Sequence, residues 1–293
     1  MMNTTKLWMA VLCVCCALTA SAQRKQCMDA DWRFCLGDGS AAIADPSVAD
    51  SWRLLDLPHD WSVETEAAAQ AGGSVIGPFS TNSIGKYQTG HTVGGEGWYL
   101  RKLKIENGRL KMDNGQFSIY FEGAYNQSWL YVNGTLCHEN VYGYTSFRAD
   151  VTELLHEGEN TILVRVLNEG NNTRWYAGSG IYRHVWLITT PSLHADEWET
   201  VVKVDNGLAD GEISVETRIY NEGSEAADAI VSVDIIDAQG TTVATQQTTV
   251  AVPAKNSPLG SAASRSEELS TFNSPPSTPG VLIHLIYIRR ALA

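Results

Sequence analysis

The chain has 293 residues, of which 44% are hydrophobic and 18% charged, as is ordinary for a soluble protein of one or two globular domains. Its 33 acidic residues outnumber the 21 basic ones, which gives a formal net charge of −12. This excess argues against a nucleic-acid-binding protein, which needs a basic surface, and is compatible with a neutral ligand such as a sugar.

Residues 1–22 predict an export signal. Lys6 supplies a positive charge, residues 7–18 form an apolar stretch, and Ala-Ser-Ala at the end of the segment is a typical cleavage site. The apolar stretch is about a dozen residues long, whereas a membrane-spanning helix needs about 20. We therefore expect cleavage between Ala22 and Gln23, and a secreted or periplasmic protein without a membrane span.

After its first third, the sequence predicts β-strands. Apolar residues alternate with polar ones over residues 117–121 and 162–166. The dipeptide Asn133-Gly134 predicts a type I′ hairpin turn, because both positions then take a positive φ. The only helix that we predict is short and covers Ser62–Ala71. Many short strands separated by turns predict an all-β fold, here a jelly-roll β-sandwich.

A second β-rich segment covers residues 193–253, with apolar alternation at 213–219 and 231–235. Its spacing fits the first strands of an immunoglobulin-like sandwich, which needs about seven strands over roughly 100 residues. We expect only four or five strands here, and therefore an incomplete domain. Residues 254–293 lose the pattern, and the apolar segment Val281–Ile288 has no predicted partner strand.

The cysteines and histidines predict no metal site and no cofactor. Three of the six cysteines lie in the export signal, and the other three are Cys27, Cys35 and Cys137. Neither their spacing nor that of the seven scattered histidines matches a set of metal ligands. A Cys27–Cys35 disulfide and free buried thiols both remain open.

The most informative segment is Arg174–Leu187, which combines large aromatic side chains, two arginines and two closely spaced glycines. Aromatic rings stack on the C–H faces of sugars, and guanidinium groups donate hydrogen bonds to sugar hydroxyls. Composition alone favours another interpretation, in which the aromatic side chains lie in the core and the glycines lie in turns.

Seven segments occur in a characteristic order along the chain. They are Leu57–Trp61 (LPHDW), Gly94–Tyr99 (GGEGWY), Phe121–Ala124 (FEGA), Val132–Gly134 (VNG), Gly143–Phe147 (GYTSF) with Asp150–Thr152 (DVT), Asn160–Val166 (NTILVRV) and Arg174–Leu187 (RWYAGSGIYRHVWL). Together they resemble the N-terminal sugar-binding domain of glycoside hydrolase family 2, which contains β-galactosidases, β-glucuronidases and β-mannosidases. The resemblance covers about residues 31–253 and is closest to secreted β-galactosidase-like members.

The resemblance implies a jelly-roll sugar-binding domain over residues 23–192, followed by the immunoglobulin-like domain. In the family a (β/α)₈ barrel then carries two catalytic glutamates, one as acid/base and one as the nucleophile of a retaining mechanism. Such a barrel takes about 250 residues. None fits after residue 253, so we assign no catalytic residue.

The resemblance also implies sugar-binding residues. In such enzymes the first domain contributes loop residues to the rim of the active site, and Arg174 and Trp175 are the candidates here. Asp60 and His59 are weaker candidates, because their segment also fits a role in closing the end of a strand through local hydrogen bonds.

The tail predicts a change of reading frame. Family members close the second domain with a motif similar to Leu-Trp-Ser-Pro-Asp-Thr-Pro-Tyr-Leu-Tyr, which is absent here. One set of codons for Pro279–Arg289, read from the third base of the first codon, encodes Trp-Ser-Thr-Asp-Thr-Pro-Tyr-Leu-Tyr-Thr. The third bases of those codons are a free choice. We therefore expect residues 254–293 to be an aberrant, out-of-frame tail.

The expected function is that of the N-terminal portion of a β-galactosidase-like enzyme, which hydrolyses O-glycosyl bonds and is inactive without its barrel. The expected partner is a carbohydrate, either a β-galactoside or a related glycan. Two alternatives stay open: a free-standing carbohydrate-binding module and a non-functional truncated product.

Overall fold

The computed structural model describes residues 24–106, 115–169, 177–205, 212–237, 239–255, 264–273 and 282–290. The described residues form two compact units, and the division between them falls between Thr189 and Thr190. Both units consist mainly of antiparallel β-strands, so the all-β prediction is confirmed.

The first unit contains twelve of the described strands and one short α-helix. The strands are β1 (Arg24–Cys27), β2 (Trp32–Leu36), β3 (Arg53–Leu55), β4 (Val75–Ile76), β5 (Phe79–Ser80), β6 (Gly95–Ile105), β7 (Gln116–Phe121), β8 (Gln127–Val132), β9 (Thr135–Asn140), β10 (Phe147–Asp150), β11 (Gly158–Asn168) and β12 (Val185–Thr190). The helix, α1, is Thr65–Ala71, and 3₁₀ turns lie at Ser40–Ile43, Pro46–Ser51, Trp61–Val63, Lys86–Thr89 and Thr152–Leu154.

Two sheets enclose the core of the first unit. One has the strand order β1-β12-β7-β10 and the other the order β3-β2-β6-β11-β8-β9, while β4 and β5 form a separate ribbon. The central strand β11 pairs antiparallel with β6 on one side and with β8 on the other. Alternate residues of both sheets, such as Phe117, Ile119, Ile162 and Val164, share one buried cluster, as expected when two sheets pack on each other.

The local predictions in this unit are confirmed with one adjustment. Asn133 and Gly134 join β8 to β9 with φ values of 50° and 79°, which is the backbone that a type I′ turn requires. The predicted helix over 62–71 is divided into a 3₁₀ turn and α1. The division occurs because Glu64 between them is extended, with φ −90° and ψ 135°.

The second unit contains seven described strands. They are β13 (Leu193–Ala195), β14 (Val201–Asp205), β15 (Glu212–Asn221), β16 (Ala227–Ile236), β17 (Thr242–Val252), β18 (Ser264–Asn273) and β19 (Leu282–Arg290), with a 3₁₀ turn at Glu197–Glu199. One sheet has the order β13-β15-β14, with β18 also pairing with β15, and the other has the order β17-β16-β19. The predicted apolar positions Ile213, Val215, Val231 and Val233 lie in a second buried cluster.

The expectation that Val281–Ile288 lacks a partner strand is wrong. Strand β19 begins at Leu282 and pairs antiparallel with β16, while β18 pairs with β15. The physical reason is that an open sheet edge presents unpaired N–H and C=O groups, to which an extended segment adds. Pairing of the backbone says nothing about the reading frame, so the out-of-frame origin of residues 254–293 stays a prediction.

The structure also decides the state of the cysteines and of one aromatic side chain. Cys27, Cys35 and Cys137 are free thiols, and Cys27 is exposed rather than buried. Trp186, which the core interpretation of the segment Arg174–Leu187 places in the interior, is only half-buried: its indole donates to Glu122, and the Lys25 ammonium lies 4.4 Å from its ring centroid. Among the described helices, none is long and apolar enough to cross a membrane.

Candidate functional site

Two of the seven sequence segments lie side by side in the first unit. The amide of His59 donates to the carbonyl of Ile181 over 2.8 Å, and the amide of Trp61 donates to the carbonyl of Ser179 over 3.0 Å. These bonds pair residues 57–61 with the central part of the run 177–182. A segment near the start of the chain and one more than a hundred residues later thus form a single local structure.

Asp60 joins the two segments through its side chain. Its Oδ1 accepts from the amide of Ser62 at 2.9 Å and from the amide of Ser179 at 2.8 Å. The first bond caps the 3₁₀ turn Trp61–Val63, and the second orients the run 177–182. Gly178 has φ 74°, and a Cβ there would lie 2.6 Å from Asp60 Oδ2, so a side chain would displace the carboxylate.

Gly180 permits a second close approach. Its φ is 128°, and a Cβ at this position would lie 2.5 Å from Tyr99 Oη and 2.6 Å from the His59 carbonyl oxygen. The same residue exchanges two backbone hydrogen bonds with Tyr125, at 2.9 and 3.1 Å. Gly178 and Gly180 therefore allow close packing of the backbone, and both also take a positive φ.

A buried polar network joins the end of β11 to Gly178 and Ser179. Asn168, the last residue of β11, donates from Nδ2 to the Gly178 carbonyl at 3.0 Å and to Ser179 Oγ at 2.7 Å. Ser179 Oγ lies 2.6 Å from Ser62 Oγ, which donates to the Val93 carbonyl over 2.6 Å. We call Ser62, Asn168, Gly178 and Ser179 the polar network. Because Ser62 and Ser179 are buried and bonded, the network holds the end of β11 against residues 178 and 179.

His59 lies in a separate buried cluster. Burial lowers the pKa of this imidazole and raises that of the Tyr99 phenol, so both groups are neutral near pH 7. We assign Tyr99 Oη as the donor to His59 Nδ1 at 2.7 Å, and His59 Nε2–H as the donor to Glu64 Oε1 at 3.0 Å. Arg53 donates to both oxygens of Glu64, at 2.7 and 2.8 Å. These contacts occupy both nitrogens of the His59 ring, which favours a structural role.

The structure places the predicted sugar-binding residues unequally. Asp60 and His59 come together against the run 177–182, with Asp60 half-buried and His59 9% exposed. Arg174 and Trp175 lie outside the described residues. The role of all four in sugar binding stays a prediction.

Several residues of the site carried no clear signal in the sequence. Asn168 is a polar residue at the end of a strand, and Ser62 and Ser179 have no distinctive spacing. Only the Asp60-x-Ser62 pattern indicates a capped turn. Within the described ranges, no three His, Cys, Asp or Glu side chains lie close enough to hold a metal ion. The arrangement is suited to holding three segments that are distant in sequence against one another.

Comparisons with known proteins agree with one another. The family model described as "Glycosyl hydrolases family 2, sugar binding domain" matches residues 25–191. The chain is 38% identical over 231 residues to the beta-galactosidase BoGH2A of Bacteroides ovatus, covering 76% of this chain and 25% of that protein. It is 27% identical over 287 residues to a beta-glucuronidase of Formosa agariphila, covering 84% of this chain and 27% of the relative.

Solved structures show the same likeness. A glycosyl hydrolase family 2 member from Bacteroides cellulosilyticus superimposes with a TM-score of 0.72 and 33% identity, covering 83% of this chain and 30% of that one. The chain thus spans about a quarter to a third of the length of these relatives.

Proposed function

The chain belongs to glycosyl hydrolase family 2, and from that premise we propose that it is the sugar-contacting amino-terminal part of a β-galactoside-hydrolysing enzyme. The match to the family's sugar-binding domain over residues 25–191 carries this proposal. The beta-galactosidase BoGH2A is 38% identical, against 27–32% for relatives named as a beta-glucuronidase or putative beta-glucuronidase, which favours galactosides.

The proposal divides the roles among the residues. The polar network and Asp60 fix residues 168, 178 and 179, and Arg174 and Trp175 lie between 168 and 178 in the sequence. In this proposal the Trp175 ring stacks on the C–H face of a galactosyl unit and the Arg174 guanidinium donates to its hydroxyls.

The hydrolytic step is assigned to carboxylates outside these 293 residues. A retaining mechanism needs an acid/base and a nucleophile about 5–5.5 Å apart. In the described part of the site, Asp60 Oδ1 is committed to two backbone amides, and Glu64 is committed to Arg53 and His59. We therefore expect the chain by itself to contact sugar without cleaving it. We also propose export through residues 1–22.

Hydrolysis of two nitrophenyl glycosides tests the proposed function. The gene is first sequenced beyond the codon for Pro253. The downstream coding sequence is then joined in frame to the segment for residues 23–253, and the two are expressed as one protein. We expect turnover of p-nitrophenyl β-D-galactoside and at least tenfold less turnover of p-nitrophenyl β-D-glucuronide. The reverse preference, or a downstream sequence that encodes no barrel in any frame, would contradict the proposal.

A free-standing carbohydrate-binding module is the second candidate, because the first unit has its own core and paired sheets. Titration calorimetry of the 293-residue chain with lactose separates the two candidates. A free-standing module should bind lactose as the 293-residue chain alone. The rim of an incomplete active site should bind lactose only weakly, because most of the sugar contacts in such a site come from other parts of the enzyme.

A further inference from the structure

Two exposed tyrosines stand on the loop between β9 and β10. Tyr142 is 57% exposed and Tyr144 is 53% exposed, and they lie in the sequence segment Val141-Tyr142-Gly143-Tyr144. The Tyr142 and Tyr144 ring centroids are 5.8 Å apart at an interplanar angle of 67°. We call these two side chains the tyrosine pair. The proposed function assigns them no role.

The loop that carries the tyrosine pair is held in one conformation. The Tyr142 carbonyl accepts from Asn140 Nδ2 at 3.0 Å and from Thr145 Oγ1 at 3.3 Å, while the Gly143 carbonyl accepts from Tyr182 Oη at 2.8 Å. Gly143 lies directly against the Tyr125 ring. Fixed aromatic side chains of this kind lose little entropy when a ligand binds.

One member of the tyrosine pair packs against a buried tyrosine. The ring centroid of Tyr144 lies 5.1 Å from that of Tyr125, which is only 2% exposed. Burial, together with the neighbouring Tyr144 phenol, raises the pKa of Tyr125 to about 12, and burial also raises the pKa of Tyr182. These two phenols stay uncharged at neutral pH. The exposed surface itself offers the two aromatic faces of the tyrosine pair and their hydroxyl groups, which suit a polyhydroxy ligand.

The run 177–182 connects the tyrosine pair to the candidate site. At one end Gly178 lies against Asp60, and at the other Tyr182 bonds the loop of the pair through Gly143. Four residues of extended chain span at most about 14 Å. This length bounds the distance from Gly178 to the Tyr182 backbone, and the Tyr182 hydroxyl contacts the loop of the pair.

We propose that Tyr142 and Tyr144 form a second saccharide-contact surface, which binds neutral sugar units of the glycan other than the unit that is hydrolysed. This inference rests on the proposed function and deepens it, because it makes the natural ligand an oligosaccharide or polysaccharide rather than a monosaccharide glycoside. The aromatic rings contact the C–H faces of the sugar units, and the phenols exchange hydrogen bonds with their hydroxyls.

Native affinity electrophoresis of the full chain in gels that contain soluble β-1,4-galactan tests the proposal. We expect the galactan to retard the wild-type chain and the control variant Tyr87→Ala, since Tyr87 is 77% exposed and distant in sequence from the pair. The double variant Y142A/Y144A should bind about fivefold or more weakly, because one aromatic contact contributes roughly 2- to 13-fold. The double variant Y142F/Y144F should retain most of the binding if the ring faces carry it.

Three outcomes would overturn the proposal. They are an unretarded wild-type chain, equal retardation of wild type and Y142A/Y144A, and a wild-type dimer in sedimentation that the double variant converts to monomer. The last outcome makes the surface an interface between two copies.

An unchanged circular dichroism spectrum and unfolding midpoint show that the double variant is folded. If galactan does not retard wild type but the enzyme hydrolyses nitrophenyl galactoside, only the second surface fails; if the enzyme has no galactosidase activity, the proposed function fails.

Discussion

Replacing Asp60 with alanine should destabilise the first unit more than removal of an ordinary capping side chain does. Asp60 Oδ1 accepts from the amide of Ser62 and from the amide of Ser179. The variant D60A removes both acceptors at once. Asp45 offers a matched control, because it caps the 3₁₀ turn Pro46–Ser51 by accepting from the Ser47 amide at 3.0 Å.

The expected magnitude follows from these contacts. Loss of a capping side chain costs about 0.5–2 kcal/mol, and this term applies to both D60A and D45A. D60A additionally leaves the amide of the buried Ser179 without its acceptor, which costs roughly 1–3 kcal/mol. The total for D60A is therefore about 1.5–5 kcal/mol, which lowers the midpoint of a unit of this size by about 3–20 °C. The variant D60N keeps an oxygen acceptor and should lose about 1 kcal/mol or less.

Denaturant unfolding followed by tryptophan fluorescence gives the free energies, and amide hydrogen exchange reads the Ser179 site directly. In D60A the Ser179 amide should exchange about 5- to 160-fold faster, which corresponds to the same 1–3 kcal/mol. In D45A its exchange should be unchanged. Equal losses of stability in D60A and D45A, with Ser179 protected in both, would refute the assignment of Asp60 as the link between the two segments.

Three further predictions concern other residues of the first unit. The variant G180A should lose about 2–5 kcal/mol in chemical denaturation, because Gly180 has a positive φ and neighbouring atoms lie too close for a Cβ. The control G158A should lose only about 1 kcal/mol, since Gly158 also has a positive φ, 95°, but no atom lies within 4 Å of a Cβ there. Equal losses would contradict the close approach at Gly180. The pKa of His59 is lowered by burial from 6.5, so its contribution to stability is complete above pH 6.5 and is lost as the pH falls toward the folded-state pKa. Between pH 7 and pH 5 the melting temperature should therefore fall less for H59Q than for wild type. Equal falls in the two proteins would exclude the effect. Burial raises the pKa of Cys137 to about 11, while Cys27 is exposed. Alkylation at pH 8, mapped by mass spectrometry, should therefore label Cys27 before Cys137. A Cys27–Cys35 disulfide, or faster labelling of Cys137, would be the contrary result.

Local features of the fold could be predicted because they depend on neighbours in the sequence. Alternation at residues 117–121 and 162–166 has the period of a strand with one buried face, and Asn133-Gly134 has few backbone choices other than a tight turn. The short helix was also predictable, except that Glu64 divides it.

The site could be predicted only in part, because its contacts join distant residues. The hydroxyls of Ser62 and Ser179 meet across a sequence separation of 117, and no periodicity encodes such a pair. Gly178 and Gly180 stood out by spacing, but the atoms that they make room for belong to other segments. The pairing of β19 was missed for a similar reason: it depends on an open edge of β16, which only the assembled sheet reveals.

The kinetics of the family-length enzyme carrying Arg174→Ala or Trp175→Ala test the central claim most directly. The account predicts that each substitution lowers kcat/KM for p-nitrophenyl β-D-galactoside about tenfold or more, since one lost hydrogen-bonded or stacked contact at a desolvated site is worth roughly 1.5–3 kcal/mol. The control Tyr87→Ala should keep the wild-type value. A kcat/KM that is unchanged in both rim variants would contradict the claim that this chain contributes sugar contacts to the active site.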